Sequence, residues 1–294
     1  MGESARLAYK AYEIEEFVDV YFFRRLGYVV ACVARVARLT PNAVSVLAGL
    51  VGAVGGALFF EPRLAPAGFA LLVLHGVVDS ADGQLARMTG RTSELGRMLD
   101  GLAGYVTHAA MYVAIVAGVV ARGGSWSILG WACLAGVFTA IQAQMYDYHR
   151  TTYAQIVIRG VAGRGSAGAA LTDRGSDASA MGVVRAYEAM QRRLAGAHVA
   201  VEAAIAARAV GGQVRPDDRE RYRAAFYRRV RGWNLLGDNG RRGGAGVLVL
   251  IGQVEWFFAF ILLPLNAVLA VLWLWQQRAD RRFLAEIGAP DRPR

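Results

Sequence analysis

The stretch Asp79–Gly104, DSADGQLARMTGRTSELGRMLDGLAG, sets three aspartates at the ends of two apolar segments. A charged side chain at the centre of a membrane helix costs about 2.5–3.5 kcal/mol on insertion scales, so Asp79, Asp82 and Asp100 require a compensating cation. Asp79 and Asp82, at i and i+3, share one helical face, while Asp100 arrives from the next helix. An oxygen-only donor set favours Mg, Mn or Ca over zinc. The spacing therefore predicts a cation site held between two membrane helices.

Working outward, the chain of 294 residues is 55% hydrophobic yet carries a net charge of +10. That balance excludes an ordinary soluble protein and predicts an all-α integral membrane protein with basic faces. Cys32 and Cys133 lie in separate apolar stretches, which argues against a disulfide framework or a zinc site. Glu3, Glu13, Glu15, Glu16 and Asp19 near the start argue against a cleavable signal.

The apolar pattern predicts about six transmembrane helices, at 42–60, 65–83, 95–121, 126–146, 244–262 and 264–277, with the last break at Pro264. Before them, residues 1–40 form a juxtamembrane segment. There Tyr12, Phe17, Tyr21, Phe22 and Tyr28 recur at loosely helical spacing and predict an amphipathic surface helix. Thr40 and Pro41 predict a helix start, as N-cap and first helical residue. The site belongs to the block 41–146. A basic insertion at 147–243 follows, then the spans of 244–277 and a basic tail at 278–294.

The insertion holds 17 Arg against 9 Asp and Glu. It passes through a Gly/Ala/Ser-rich stretch and then shows two helical patterns, at about 181–210 and from Pro216 to about Leu236. The second carries Tyr222, Phe226, Val230 and Trp233 at helical spacing among arginines, a pattern suited to anionic headgroups rather than nucleic acid. Loop arginines gather on one side of the predicted spans. By the positive-inside rule both termini, the insertion and the acidic site are then cytoplasmic, in a multi-pass cell-membrane protein.

The spacing D-x2-D-G-x2-A-R-x8-G-x3-D-x3-G resembles the signature of the CDP-alcohol phosphotransferases, except that Gly104 stands where that family has a fourth Asp. The segment EEFVDVYFFRRLGYVVACVARVARLTPNAVSVLAGL, residues 15–50, is also similar to the amino-terminal part of that family. The resemblance implies a reaction in which an alcohol hydroxyl attacks a CDP-linked donor at the phosphorus nearer the non-nucleotide group, releasing CMP. It further implies Mg2+ or Mn2+ on Asp79, Asp82 and Asp100, and a CDP moiety bordered by Gly83, Ala86, Arg87 and Gly96. The family's last Asp is assigned to the second metal and to general-base duty, and Gly104 can do neither.

His108, one turn beyond Gly104, is a candidate substitute base, or else a packing or hydrogen-bonding histidine. Tyr148 and Arg150 resemble the family's Tyr-x-Arg, which would hold an acceptor's polar group, although both also suit interfacial anchoring. The implied partners are CDP-diacylglycerol as donor, an alcohol acceptor, membrane lipids and a second copy of the chain. Three readings follow: a phospholipid synthase using CDP-diacylglycerol, transfer of a headgroup from a soluble CDP-alcohol to a lipid hydroxyl, and a non-catalytic nucleotide- or lipid-binding membrane protein.

Overall fold

Thr40 separates two helices whose ends are set by local chemistry. Helix α1 (Arg24–Val36) stops at Arg38, whose φ of 57° turns the chain so that the Leu39 amide bonds back to the Ala34 carbonyl. The Thr40 hydroxyl then accepts from the Ala43 amide, and Pro41 takes the first position of α2 (Pro41–Ala57), as the sequence predicts. The computed structural model describes residues 12–162 and 189–288, and among them every named element is helical. After α2 come α3 (Ala65–Thr89), α4 (Glu94–Ala121), α5 (Ser127–Tyr153), α6 (His198–Arg208), α7 (Pro216–Trp233), α8 (Asp238–Leu250) and α9 (Asn266–Ile287).

The chain divides into two compact units, one of Met1–Phe138 with Asp238–Pro264, the other of Thr139–Gly237 with Leu265–Arg294. In the first, α2 packs against both α3 and α4, and α1 lies on α3. Their shared core is built largely from small side chains, with Ala31, Ala34, Ala48 and Ala81 beside Val44, Val78 and Leu85. Small residues let helix axes approach closely. Gly56 shows why: a Cβ there would sit 2.7 Å from the Met111 amide nitrogen and 2.9 Å from the Thr107 carbonyl oxygen. Any side chain at 56 would push α4 away from α2.

Four helical runs among the described residues are long and apolar enough to cross a membrane: Pro41–Phe60, Met98–Ala121, Ser127–Arg159 and Val254–Ile287. Six were expected, and two differences account for the gap. Helix α3 covers the expected 65–83 but runs on to Thr89 with Asp79, Asp82 and Arg87, too polar a length to count among the four. The expected break at Pro264 falls instead between α8 and Val254, where Gly252 adopts φ 70°. Pro264 itself lies in a wide helical turn, Ile261–Leu265. A proline removes one amide donor, and a wider turn absorbs that loss without ending the helix. Residues 244–262 are therefore not one helix, and the run Val254–Ile287 is continuous.

The N-terminal segment also departs from a single amphipathic helix. A wide turn, Asp19–Phe23, leads into α1, which buries Gly27, Ala31 and Ala34; residues 8–11 lie outside the described residues. The expected fourth span is longer than predicted, because α5 continues through the wide turn Ala154–Arg159.

In the second unit, α6 and α7 pack on α9. Tyr222, Phe226, Val230 and Trp233 of α7 are only 1–3% exposed, so its apolar face is covered by protein and is not free to lie on a membrane. His198 organises this core, with Nδ1 2.8 Å from Asp280 Oδ1 and Nε2 2.9 Å from the Tyr222 hydroxyl. Burial pushes the Tyr222 phenol well above its ordinary range. The helix expected over 181–210 is interrupted at Gly196, at φ 59°. There the Gln277 side-chain amide accepts from the Ala197 amide and donates to the Ala195 carbonyl, each at 3.0 Å. Residues 181–188 of that expected helix lie outside the described residues.

Candidate active site

The end of α3 and the start of α4 are joined by a short turn, and its chemistry sets where the acidic groups point. Gly90, at φ 66°, caps α3, and the Arg91 amide bonds back to the Ala86 carbonyl at 3.0 Å. The Ser93 hydroxyl then caps α4 by accepting from the Gly96 amide at 2.9 Å. Gly96 is a close-approach position: a Cβ there would lie 2.9 Å from Asn42 Oδ1, so the first turn of α4 rests on the first turn of α2.

This arrangement brings Asp79, Asp82 and Asp100 together, with one carboxylate oxygen from each within 4.8 Å of the others. Asp82 is buried, Asp79 half-buried and Asp100 exposed, so the group opens on one side. Ser45 of α2 holds Asp82 from behind: its hydroxyl bonds Asp82 Oδ2 and lies 3.2 Å from the Pro41 carbonyl oxygen. Three carboxylate oxygens at this separation repel one another, and a hard divalent cation with oxygen ligands relieves that repulsion. The donor set thus fits Mg2+ or Mn2+.

Gly83 lies beside the cluster with open space over its α-carbon. The nearest atom a Cβ would meet is Arg87 Nη1, at 3.5 Å. Arg87 is exposed, while Ala86 is half-buried on the same helix. A ligand approaching there meets bare backbone next to a guanidinium, which suits a phosphate-bearing group. His75, one turn before Asp79, turns Nδ1 to the Ala48 carbonyl at 2.9 Å and so ties α3 to α2.

At Gly104 nothing lies within 4 Å of where a Cβ would be. His108 does not reach into that space with a free nitrogen. Its Nδ1 lies 2.8 Å from the Gly104 carbonyl oxygen, and its Nε2 lies 3.2 Å from Asp238 Oδ1. A carbonyl oxygen only accepts, so Nδ1 carries the hydrogen of the first contact. Asp238, at the start of α8, also pairs with Arg242 Nη2 at 2.7 Å and Arg241 Nη2 at 3.4 Å. Burial alone would raise the Asp238 carboxyl, but Arg242, His108 and Arg241 together hold it well below the usual carboxylate range. Arg242 continues toward α3, with its guanidinium 5.3 Å from the Phe23 ring centroid and against Gly76, one turn before Asp79.

Tyr148 and Arg150 belong to the second unit and are engaged there. The Tyr148 hydroxyl donates to Glu202, and Arg150 donates to the Tyr146 hydroxyl while lying 5.5 Å from that ring's centroid. Sequence reasoning overlooked Ser45, Asp238 and Arg242. Ser45, one turn after Pro41 on an otherwise apolar helix, was the one with a local signal. Nothing near Asp238 in the sequence ties it to α4.

A cluster of three aspartates on two consecutive helices, next to a bare glycine and an arginine, defines a candidate centre for metal-assisted phosphoryl chemistry. Residues 38–170 match the family model of the CDP-alcohol phosphatidyltransferases. The family comprises transferases of phospholipid biosynthesis that use a CDP-alcohol donor and an alcohol acceptor. No curated protein and no solved structure matches the chain.

Proposed function

We propose that the protein transfers a phosphatidyl group from CDP-diacylglycerol to an alcohol acceptor and releases CMP. The observation that carries this reading is the meeting of Asp79, Asp82 and Asp100 within 4.8 Å, at the spacing of the matched family. Mg2+ or Mn2+ on these aspartates would neutralise the diphosphate and stabilise the entering and leaving oxygens. Gly83 and Ala86 give a nucleotide access to the backbone, Arg87 pairs with a phosphate, and Gly96 keeps the α4 turn close to α2. Tyr148 and Arg150 are proposed for the acceptor's polar group on the resemblance alone.

His108 is proposed as a link between α4 and α8 rather than as the base, because both ring nitrogens already have partners. One observation favours a second reading: Gly104 leaves the site without a fourth carboxylate, as in a protein that binds nucleotide or lipid without turnover. Purified protein incubated with Mg2+, CDP-diacylglycerol and a panel of alcohols separates the two. Acceptor-dependent CMP release is expected. Tight CDP-diacylglycerol binding without CMP release for any alcohol would leave only the second reading, and absence of both would sink the assignment.

The site is further proposed to face the cytoplasm, as the loop arginines suggest. A cysteine introduced at Thr92, in the exposed turn between α3 and α4, should react with a membrane-impermeant maleimide only after permeabilisation, measured against a protein also lacking Cys32 and Cys133. Labelling at 92 in intact cells would invert the topology.

A further inference from the structure

The second unit carries a basic surface that the transferase reading does not use. The apolar face of α7 is spent on the unit's own core, which turns Arg228 and Arg231 outward. The end of this helix is pinned against a particular level of the neighbouring helix. A Cβ on Gly232 would come within 3.1 Å of both Leu272 Cδ2 and Trp275 Cζ3, and the Arg229 guanidinium lies 5.0 Å from a Trp275 ring centroid.

That level is where the long apolar run Val254–Ile287 changes character. Val271, Trp273, Leu274 and Trp275 are exposed, and Gln276, Gln277 and Arg278 follow. Exposed tryptophans at the end of an apolar run mark the headgroup level of a bilayer. Arg278, Arg281 and Arg282 are exposed within the next two turns. Arg228, Arg229 and Arg231 therefore join three further arginines beside the tryptophans. Asp280 is buried against His198, and Glu220 is eight residues, or about 12 Å of helix, before Arg228. Glu286, the nearest exposed acid on α9, sits one turn beyond Arg282, at the edge of the patch.

We infer that this surface binds the headgroups of anionic phospholipids at the level of Trp273 and Trp275. A solvated basic face alone would not need the tryptophans or the close approach at Gly232. Basic residues at a membrane surface gain by attraction to anionic lipid, and at about 1 kcal/mol for each arginine the expected effect is about five-fold in affinity per residue.

The test places the full-length protein in nanodiscs of equimolar phosphatidylglycerol and phosphatidylcholine and counts retained lipids by native mass spectrometry. The wild type is expected to retain phosphatidylglycerol in clear preference. Arg228→Gln, Arg231→Gln and Arg278→Gln combined should weaken that retention by about 10²-fold if the effects add, whereas the same three positions changed to Lys should keep the preference. Equal retention of the two lipids by the wild type, or unchanged preference in a folded Gln variant, would overturn the inference. So would a wild type in which a single-stranded oligonucleotide displaces the lipid. Since neither CDP nor turnover enters the measurement, its outcome is independent of the transferase assignment.

Discussion

Asp82→Ala is expected to lose Mn2+ binding by at least ~10²-fold, measured by titration of the purified full-length protein. Altering groups that only orient a ligand already costs about 10- to 100-fold in metal affinity, and Asp82 is proposed as a ligand itself. It is also the most enclosed of the three aspartates and the one braced by Ser45. Ser45→Ala should consequently cost less, about 10-fold, because the carboxylate remains but loses its brace. Metal-dependent CDP binding should fall in the same order. An Asp82→Ala protein with wild-type Mn2+ affinity and wild-type metal dependence of nucleotide binding would remove the three-aspartate site from consideration.

Gly104→Asp is expected to raise turnover by ~10²-fold or more, the range in which a positioned base acts. The substitution meets no packed neighbour at its Cβ, since beyond the adjoining backbone of its own helix nothing lies within 4 Å of that position. It also replaces a helical glycine, which is among the least favourable residues in a helix interior. Position 104 is one turn beyond Asp100, so a carboxylate there rises from the same helical face as that aspartate. His108→Ala should change turnover little by comparison, because its ring already engages the Gly104 carbonyl and Asp238. A large fall in turnover in His108→Ala, with nucleotide binding retained, would instead make the imidazole the base. A Gly104→Asp protein inert with every donor and alcohol would favour the binding-protein reading.

The local features of the site were legible because their causes are local. The i, i+3 pair of Asp79 and Asp82 and the Thr40–Pro41 helix start each act within one helical turn, Asp100 follows on the next helix after a short turn, and the structure brings one carboxylate oxygen of each aspartate within 4.8 Å of the others. What escaped the sequence depends on packing between distant segments. The partnership of Asp238 with His108 exists because α8 returns to α4 in the folded unit. The buried face of α7 likewise had the periodicity of a helix lying on a membrane. Its aromatic residues are covered by protein around His198 and Asp280, and no single-helix pattern distinguishes those two environments. The break at Gly252 was missed for a third reason: proline is the stronger helix breaker in sequence terms, but a wider turn accommodated Pro264, whereas a left-handed glycine stopped α8.

The open space above Gly104 also bears on how this position could change over generations. Glycine codons ending in a pyrimidine become aspartate codons by one substitution at the second base, and no packed neighbour stands against a Cβ at 104. Close packing therefore does not hold glycine at 104. Selection that keeps it there would have to act on what a carboxylate does beside the three aspartates, such as the negative charge it adds to their cluster, rather than on the stability of the helix bundle.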